Sequence, residues 1–151
     1  MEHIEISALV SRLFRALDER KFDGDWHRDY FTDEVRMVTP LGVSEGAEAV
    51  RHTADSVGRF VRTQHLATDL LTDIDGNAAT ASWNALMVHV HREATLERRG
   101  ADANPVFTVG GHYDADLRRT PDGWRFDRMS IRAIWTTGQP PILPPEIQPV
   151  V

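Results

Sequence analysis

Arg62-Thr63-Gln64-His65 and Met87-Val88-His89-Val90-His91 are the two stretches around which this chain is organised. The first stretch leads into one long segment, 64–74, and the second ends another, 78–91; the composition and alternation of both segments are typical of β-strands. Asp75-Gly76 between the segments predicts a hairpin turn. As neighbouring strands, the two stretches place imidazole rings on the wall of whatever space the fold encloses.

The second segment has two unlike faces, because side chains alternate along a strand. One face combines small, aromatic, thioether and imidazole side chains, as a pocket wall often does: Ala81, Trp83, Ala85, Met87, His89 and His91. The other face is polar at first and then apolar at Leu86, Val88 and Val90, which predicts an oligomer contact.

His65 stands out of phase with the apolar residues of its own segment, which are Leu66, Leu70 and Ile74. It therefore either faces away from the apolar side of the strand, or a β-bulge re-aims it. The residues alone leave both alternatives open.

The rest of the chain predicts an α+β fold, with helices first and long hairpins afterwards. A curved sheet covered by the helices on one face leaves a cone with a pocket at its open end. Helices are predicted at 4–20, 26–31 and 47–59, and strands at 35–38, 64–74, 78–91, 106–118 and 124–135. The segments 42–46 and 93–104 are predicted to be loops. The domain spans 1–138, and a Pro-rich tail follows it. The tail, 139–151, is expected to lie across a face of the domain or on a neighbouring subunit.

Composition narrows the class of function. The chain has 151 residues, a net charge of −6 and no cysteine. The acidic balance argues against nucleic acid as a partner, and the absence of cysteine excludes disulfides and thiolate zinc sites. No apolar run approaches the roughly 20 residues needed to span a bilayer. We therefore expect no membrane partner and a cytoplasmic location.

The histidines favour general acid–base catalysis, because imidazole titrates near neutral pH. A carboxylate on one ring nitrogen would fix the tautomer, and Asp18 at the end of the first predicted helix is the candidate. The alternative is metal binding, in which His89 and His91 act together with His65 or His112. Each single histidine could also be an ordinary structural residue.

One further motif carries little weight. The segment 42–46, Gly-Val-Ser-Glu-Gly, matches the nucleophile pattern G-x-S-x-G. That chemistry needs a doubly wound parallel sheet and a longer chain, so glycines flanking a helix start explain the segment equally well.

With these residues in place, the chain resembles a SnoaL-like member of the NTF2-like superfamily, closest in motif to scytalone dehydratase. The resemblance extends from the first helix to about Trp135. It is carried by Asp18 ahead of Asp25-Trp26, Arg62-Thr63-Gln64-His65, Asp75-Gly76 followed by His89, Gly111-His112-Tyr113 and Asp122-Gly123-Trp124-Arg125. Leu17 stands where the family has a tyrosine, and the insertion 19–23 changes the spacing to Asp25-Trp26.

The resemblance implies an α+β cone of three N-terminal helices on a strongly curved, mostly antiparallel sheet that encloses a pocket. It implies that His65 faces this pocket and that His65, His89 and Asp18 are catalytic, in a homo-dimer or homo-trimer. No cofactor or metal is expected. The substrate would be a small, mostly apolar cyclic or polyketide-like molecule, contacted by Tyr30, Trp83, Met87, Phe107, Tyr113 and Trp135. The expected activity is that of a lyase or isomerase; the alternative is a non-catalytic ligand-binding or assembly module of the same fold.

Overall fold

A six-stranded sheet, curved but not closed into a barrel, is the central feature of the computed structural model, which describes residues 1–147. The strand order is β2-β1-β6-β5-β4-β3, and all neighbours are antiparallel except β1 and β6. The elements are α1 (Glu2–Glu19), a 3-10 helix (Trp26–Asp29), β1 (Phe31–Thr39), β2 (Gly42–Glu45), α2 (Gly46–Gly58), β3 (Phe60–Asp75), β4 (Ala78–His91), α3 (Glu93–Arg99), β5 (Val106–Thr120) and β6 (Gly123–Gly138).

Helix α1 forms because apolar residues recur at helical spacing, and it buries that stripe against the sheet. Ile6, Leu9 and Leu13 are almost completely buried, and each such side chain stabilises the fold by roughly 1.5–3 kcal/mol. The helix ends at Arg20, which takes the left-handed conformation with φ 56°.

The direction of α1 over the sheet is fixed by contacts at its two ends. The ring of His3 contacts the hydroxyl of Thr72, and Asp18 binds His65. The helix therefore runs antiparallel to β3, and its C-terminal end lies toward the beginning of that strand.

A bulge in β3 decides which way His65 points. The register with β4 shifts between Thr68 and Leu71, and Asp69 has a positive φ of 56°. Aspartate is one of the residues that tolerates this conformation. The extra residue reverses the alternation, so that His65 and Ile74 both face α1 although their spacing in sequence is odd. Of the two alternatives left open by the residues, the bulge is the one that the structure contains.

Three local expectations are corrected. The second helix, expected at 26–31, is one 3-10 turn, because Phe31 already pairs with Phe126 in the sheet. The segment 42–45, expected to be a loop, is the edge strand β2. The segment 93–104, also expected to be a loop, begins with helix α3, which ends at Gly100 with φ 83°.

The tail leaves the sheet after Gly138 and stays close to it at first. The carbonyl oxygen of Gln139 accepts a hydrogen bond from Nε2 of His91 at 2.7 Å, and Arg99 donates to the carbonyl of Pro140. The segment 139–147 has no helix or strand. The remaining part of the expected tail, 148–151, lies outside the described residues.

Candidate functional site

The end of α1 meets the beginning of β3 in a small hydrogen-bonded cluster around Asp18. Its Oδ1 atom lies 2.6 Å from Nδ1 of His65 and accepts a bond from Oγ1 of Thr63 at 2.9 Å. Its Oδ2 atom accepts the backbone N–H of His65 at 2.8 Å. Three donors therefore converge on one carboxylate, and we call Asp18 and His65 the dyad.

The dyad is largely shielded from solvent. The side chain of His65 is 5% exposed and that of Asp18 is 20% exposed. The ring of Phe14 lies against the ring of His65, with centroids 5.2 Å apart. Electrostatic interactions are stronger in such a place than in water.

Two opposing effects set the pKa of Asp18. Burial raises the pKa of this carboxyl, but the hydrogen bonds and charge of His65 and the hydroxyl of Thr63 together outweigh burial and lower the pKa below its ordinary value. Asp18 is therefore an anion at neutral pH. Because a carboxylate can only accept, Nδ1 of His65 is the donor, and Nε2 is left as the atom that can take a proton.

His89 is the second imidazole of the site. Its ring centroid lies 6.0 Å from that of His65, and its Nδ1–H donates to the carbonyl oxygen of Phe107 at 2.9 Å. Burial lowers the pKa of His89 to about 4, with a further contribution from the neighbouring imidazoles. His89 is consequently neutral at pH 7 and presents Nε2 as an acceptor.

His91, on the same face of β4, has a different environment. Its Nε2–H donates to Gln139, and its Nδ1 atom is buried without a hydrogen-bond partner among the described residues. Within residues 1–147, no group of three or more His, Asp or Glu side chains is placed to hold a metal ion. The set of His89, His91 and a third ligand that the sequence suggested is therefore not assembled in this geometry.

The predicted substrate-contacting residues fall into separate groups. Trp83 is 0% exposed and its ring stacks on that of Tyr113, with centroids 5.0 Å apart, in the packed core. Met87 accepts a hydrogen bond from the hydroxyl of Tyr113 at 3.4 Å, and burial raises the pKa of that hydroxyl. Phe107 lies beside His89, with ring centroids 5.6 Å apart. Tyr30 packs on Trp26 and Phe31 beyond the end of α1.

The expected position of Trp135 is wrong. A register shift between Gly110 and Gly111 puts an extra residue into β6, so Trp135 pairs with Gly110 and not with the inward-facing Gly111. The indole lies over Gly110 and is 49% exposed. Trp135 therefore occupies the outer face of the sheet and does not contact the dyad.

Two of the cavities within residues 1–147 lie away from the dyad. One, of about 610 Å³, lies between α2 and the tail, with Phe22, Arg59 and Pro144 in its lining. The other, of about 310 Å³, lies on the outer face and is lined by Leu86, Trp135 and their neighbours. Neither lining includes His65 or His89.

Sequence reasoning missed two partners of the site. Thr63 shares a strand face with His65 by simple alternation, so its hydroxyl could have been expected beside the same carboxylate. No sequence pattern indicated that the carbonyl of Phe107 would accept a hydrogen bond from His89, because that contact depends on the register in which β4 pairs with β5.

The fold and the dyad together define a class of protein, a helix-covered curved sheet with a histidine–aspartate pair inside. The chain belongs to the SnoaL-like domain family, whose sequence profile matches residues 2–130. The uncharacterized protein Rv2910c of Mycobacterium tuberculosis is 27% identical over 129 residues, which is 84% of this chain and 82% of the relative.

The fold is similar to those of several solved structures, one of them an NTF2-like superfamily protein. An NTF2-like superfamily protein of Salmonella enterica matches with a TM-score of 0.72 at 19% identity, covering 90% of this chain and 93% of that one. A proposed scytalone dehydratase of Novosphingobium aromaticivorans matches at 0.71 and 19% identity, covering 93% of each chain. Hexachlorocyclohexane dehydrochlorinase LinA-type3 of Novosphingobium barchaimii matches at 0.70 and 18% identity, covering 93% and 92%. At these identities the likeness establishes the fold.

No helix within residues 1–147 combines the length and the apolar character that a bilayer crossing requires.

Proposed function

We propose that this protein is a cofactor-independent lyase or isomerase that uses His65 and Asp18 for general acid–base catalysis on a small cyclic or polyketide-like substrate. The observation that carries the proposal is the 2.6 Å contact between Oδ1 of Asp18 and Nδ1 of His65 inside the fold. A part-buried carboxylate is destabilising unless it is paired and hydrogen-bonded, as Asp18 is. Ionisable pairs with a perturbed pKa inside a fold cluster at functional sites, which supports a chemical role. The names of two structural neighbours, a dehydrochlorinase and a proposed dehydratase, point to elimination chemistry as well.

In the proposed reaction, Nε2 of His65 removes a proton from the carbon next to a carbonyl group of the substrate. The carboxylate of Asp18 stabilises the imidazolium that forms and holds the ring in the required tautomer. In an elimination, the electron pair forms a carbon–carbon double bond, and the bond to the departing hydroxyl breaks. The proton leaves with the hydroxyl as water, so that substrate becomes alkene plus water.

His89 has a supporting role in this scheme. Because burial keeps it neutral, its Nε2 atom accepts a hydrogen bond and orients the departing hydroxyl or a water molecule. The proton reaches the hydroxyl from the imidazolium of His65, either directly or through that water. In an isomerisation, the same proton returns to another carbon of the substrate.

The experiment is a turnover assay on a panel of cyclic β-hydroxy ketones, followed by the absorbance of the conjugated product. Asp18→Asn and His65→Ala are each expected to reduce the rate of an accepted substrate by about 100-fold or more. Glu19→Gln is the matched control, because it removes a neighbouring charge that is exposed and pairs with Lys21. Unchanged rates in both dyad variants, with the folds intact by circular dichroism, would overturn the proposal.

A second candidate is a non-catalytic ligand-binding or assembly module. The observation in its favour is that the two cavities, of about 610 and 310 Å³, are lined by residues other than the dyad. Saturable binding of panel members, with no turnover and no effect of Asp18→Asn on affinity, would support this candidate against the enzyme.

Association into a homo-dimer or homo-trimer is part of the proposal. The outer face of the sheet exposes Leu66, Leu86, Ile134 and Trp135, and their large apolar surface supports burial against another subunit. Light scattering coupled to size-exclusion chromatography would measure the mass, and Trp135→Glu is expected to shift it to that of a monomer. A monomeric wild type would contradict this part.

A further inference from the structure

Two arginines lie at the end of the sheet where the dyad is found. Arg20 follows Asp18 by two residues, and α1 runs antiparallel to β3, so Arg20 lies toward the beginning of β3. Phe60, the first residue of β3, pairs with His91, the last residue of β4. Arg92 is the next residue, and its guanidinium donates to the carbonyl of Gly58 at 2.7 Å. Arg20 and Arg92 therefore stand at the same end of the sheet.

Arg20 and Arg92 are not neutralised by ion pairs within residues 1–147. Asp18 already uses both carboxylate oxygens, for His65 and Thr63. Among the ion pairs of the described residues, neither Arg20 nor Arg92 has a carboxylate partner. Two guanidinium groups without a carboxylate partner thus stand at this end of the sheet, and the charge of Arg92 acts on Arg20.

Arg20 also has an unused donor. Its Nη2 atom is buried and has no hydrogen-bond acceptor within residues 1–147. Burial and the nearby charge of Arg92 lower the pKa of Arg20, while the charge of Asp18 acts in the opposite direction. A guanidinium whose buried donor is unsatisfied and which stands near a like charge is destabilising in the absence of an anion.

We propose that Arg20 and Arg92 bind an anionic group of the substrate, a carboxylate or a phosphate, beside the dyad. This inference rests on the proposed function and adds the class of substrate to it. Guanidinium groups suit the task because their planar donors match the two oxygens of a carboxylate or phosphate. An anion there would accept a hydrogen bond from Nη2 of Arg20 and offset the repulsion between the two guanidinium groups.

The position also suits the chemistry of the dyad. An anionic group held by the arginines fixes one end of the substrate, and the reacting carbon can then lie at Nε2 of His65. The cavity of about 610 Å³ includes Phe22, two residues after Arg20, and Gly58, whose carbonyl accepts the bond from Arg92, so it lies beside the arginines although its lining does not include His65. Cavities of this size accommodate small organic molecules.

Titration calorimetry with three probes of similar shape tests the proposal: benzoate, phenyl phosphate and neutral benzamide, at constant ionic strength. The wild type is expected to bind at least one anion about tenfold or more tightly than benzamide. Arg20→Gln and Arg92→Gln should each remove that preference. Arg98→Gln, on the exposed side of α3, is the matched control and should retain it.

The two anions separate carboxylate from phosphate as the preferred group. Equal affinity for benzamide and the anions, absence of saturable anion binding, or a preference that survives both arginine variants would overturn the inference. Arg92→Gln keeps the test valid if Arg20→Gln fails to fold, because Arg92 is exposed. Anion preference in the wild type without turnover of the substrate panel, and turnover without anion preference, are different results, so failure of the catalytic proposal and failure of this inference can be told apart.

Discussion

Nδ1 of His65 lies 2.6 Å from Oδ1 of Asp18, although the two residues are 47 positions apart in the chain. The contact joins the last turn of α1 to the first half of β3, and the backbone N–H of His65 binds the same carboxylate. An acidic residue is disfavoured at a helix C-terminus by the helix dipole. The bonds from β3 offset that cost and give Asp18 a defined partner.

Removing the carboxylate should destabilise the fold. In Asp18→Ala, the ring and backbone N–H of His65 and the hydroxyl of Thr63 lose their acceptor. Unpaired donors in a part-buried site cost about 1–3 kcal/mol of unfolding free energy, measurable by urea denaturation. Glu19→Ala is the control and should change stability by less than about 0.5 kcal/mol, because its ion pair is exposed. Equal losses in the two variants would contradict the assigned role.

Thr63 should matter through its hydroxyl. Thr63→Val keeps the shape of the side chain but removes the donor to Oδ1 of Asp18, so the carboxylate is held less firmly. Loss of one such bond to a charged group should lower kcat about tenfold, with a smaller change in KM. Thr63→Ser restores the donor and should recover most of the rate. If the valine and serine variants have the same kcat, the hydroxyl does not position the dyad.

Stability should depend on pH through His89. The pKa of His89 is lowered to about 4 in the fold, whereas an imidazole in the unfolded chain titrates near 6.5. Between these values the unfolded chain binds a proton and the folded chain does not, so the free energy of unfolding falls as the pH drops from 6.5 to 4. The total decrease in the free energy of unfolding is up to about 3 kcal/mol. Above pH 6.5, His89 does not contribute to the pH dependence of that free energy.

Urea denaturation at several pH values checks this expectation. His89→Gln should flatten the profile between pH 6.5 and 4, while His52→Gln, on the exposed surface of α2, should leave it unchanged. The pKa of Asp18 is lowered, so its contribution is present above its unfolded value and disappears only at still lower pH. If the free energy of unfolding of His89→Gln depends on pH as that of the wild type does, the burial of His89 does not control this dependence.

Substitution of Gly110 should test the position of the Trp135 indole. A Cβ atom at residue 110 would lie 2.2 Å from the indole, so Gly110→Ala has to displace that ring from the outer face. The tryptophan emission should change, and the change should vanish when Trp135→Phe is the background. Gly58→Ala is the control, since its Cβ would meet no atom within 4 Å. An unchanged emission in Gly110→Ala would argue against this position of the indole.

The inward face of β4 could be read from the sequence, because a regular strand of the length of Ala78–His91 obeys simple alternation. Met87 and His89 are both buried on the predicted face. Helix α1 could also be predicted from the sequence, because the apolar residues that recur at helical spacing are the ones that are buried in the structure.

The direction of His65 could not be read in this way. It depends on one inserted residue in β3 and on the positive φ of Asp69, and neither has a clear local signal. Trp135 was misplaced for the same physical reason, a single extra residue in β6 beside Gly110. Bulges are decided by pairing across strands, so residues beyond a bulge change face without any change in composition.

Exchange of substrate hydrogen for solvent deuterium tests the central claim most directly, because it measures the removal of a proton from carbon. Cyclic ketones of the substrate panel are incubated with the protein in D₂O, and deuterium next to the carbonyl is followed by NMR. Wild type and Glu19→Gln should exchange that position, and Asp18→Asn and His65→Gln should do so about 100-fold more slowly. Equal exchange in all four proteins would show that the pair formed by Asp18 and His65 does not carry the chemistry.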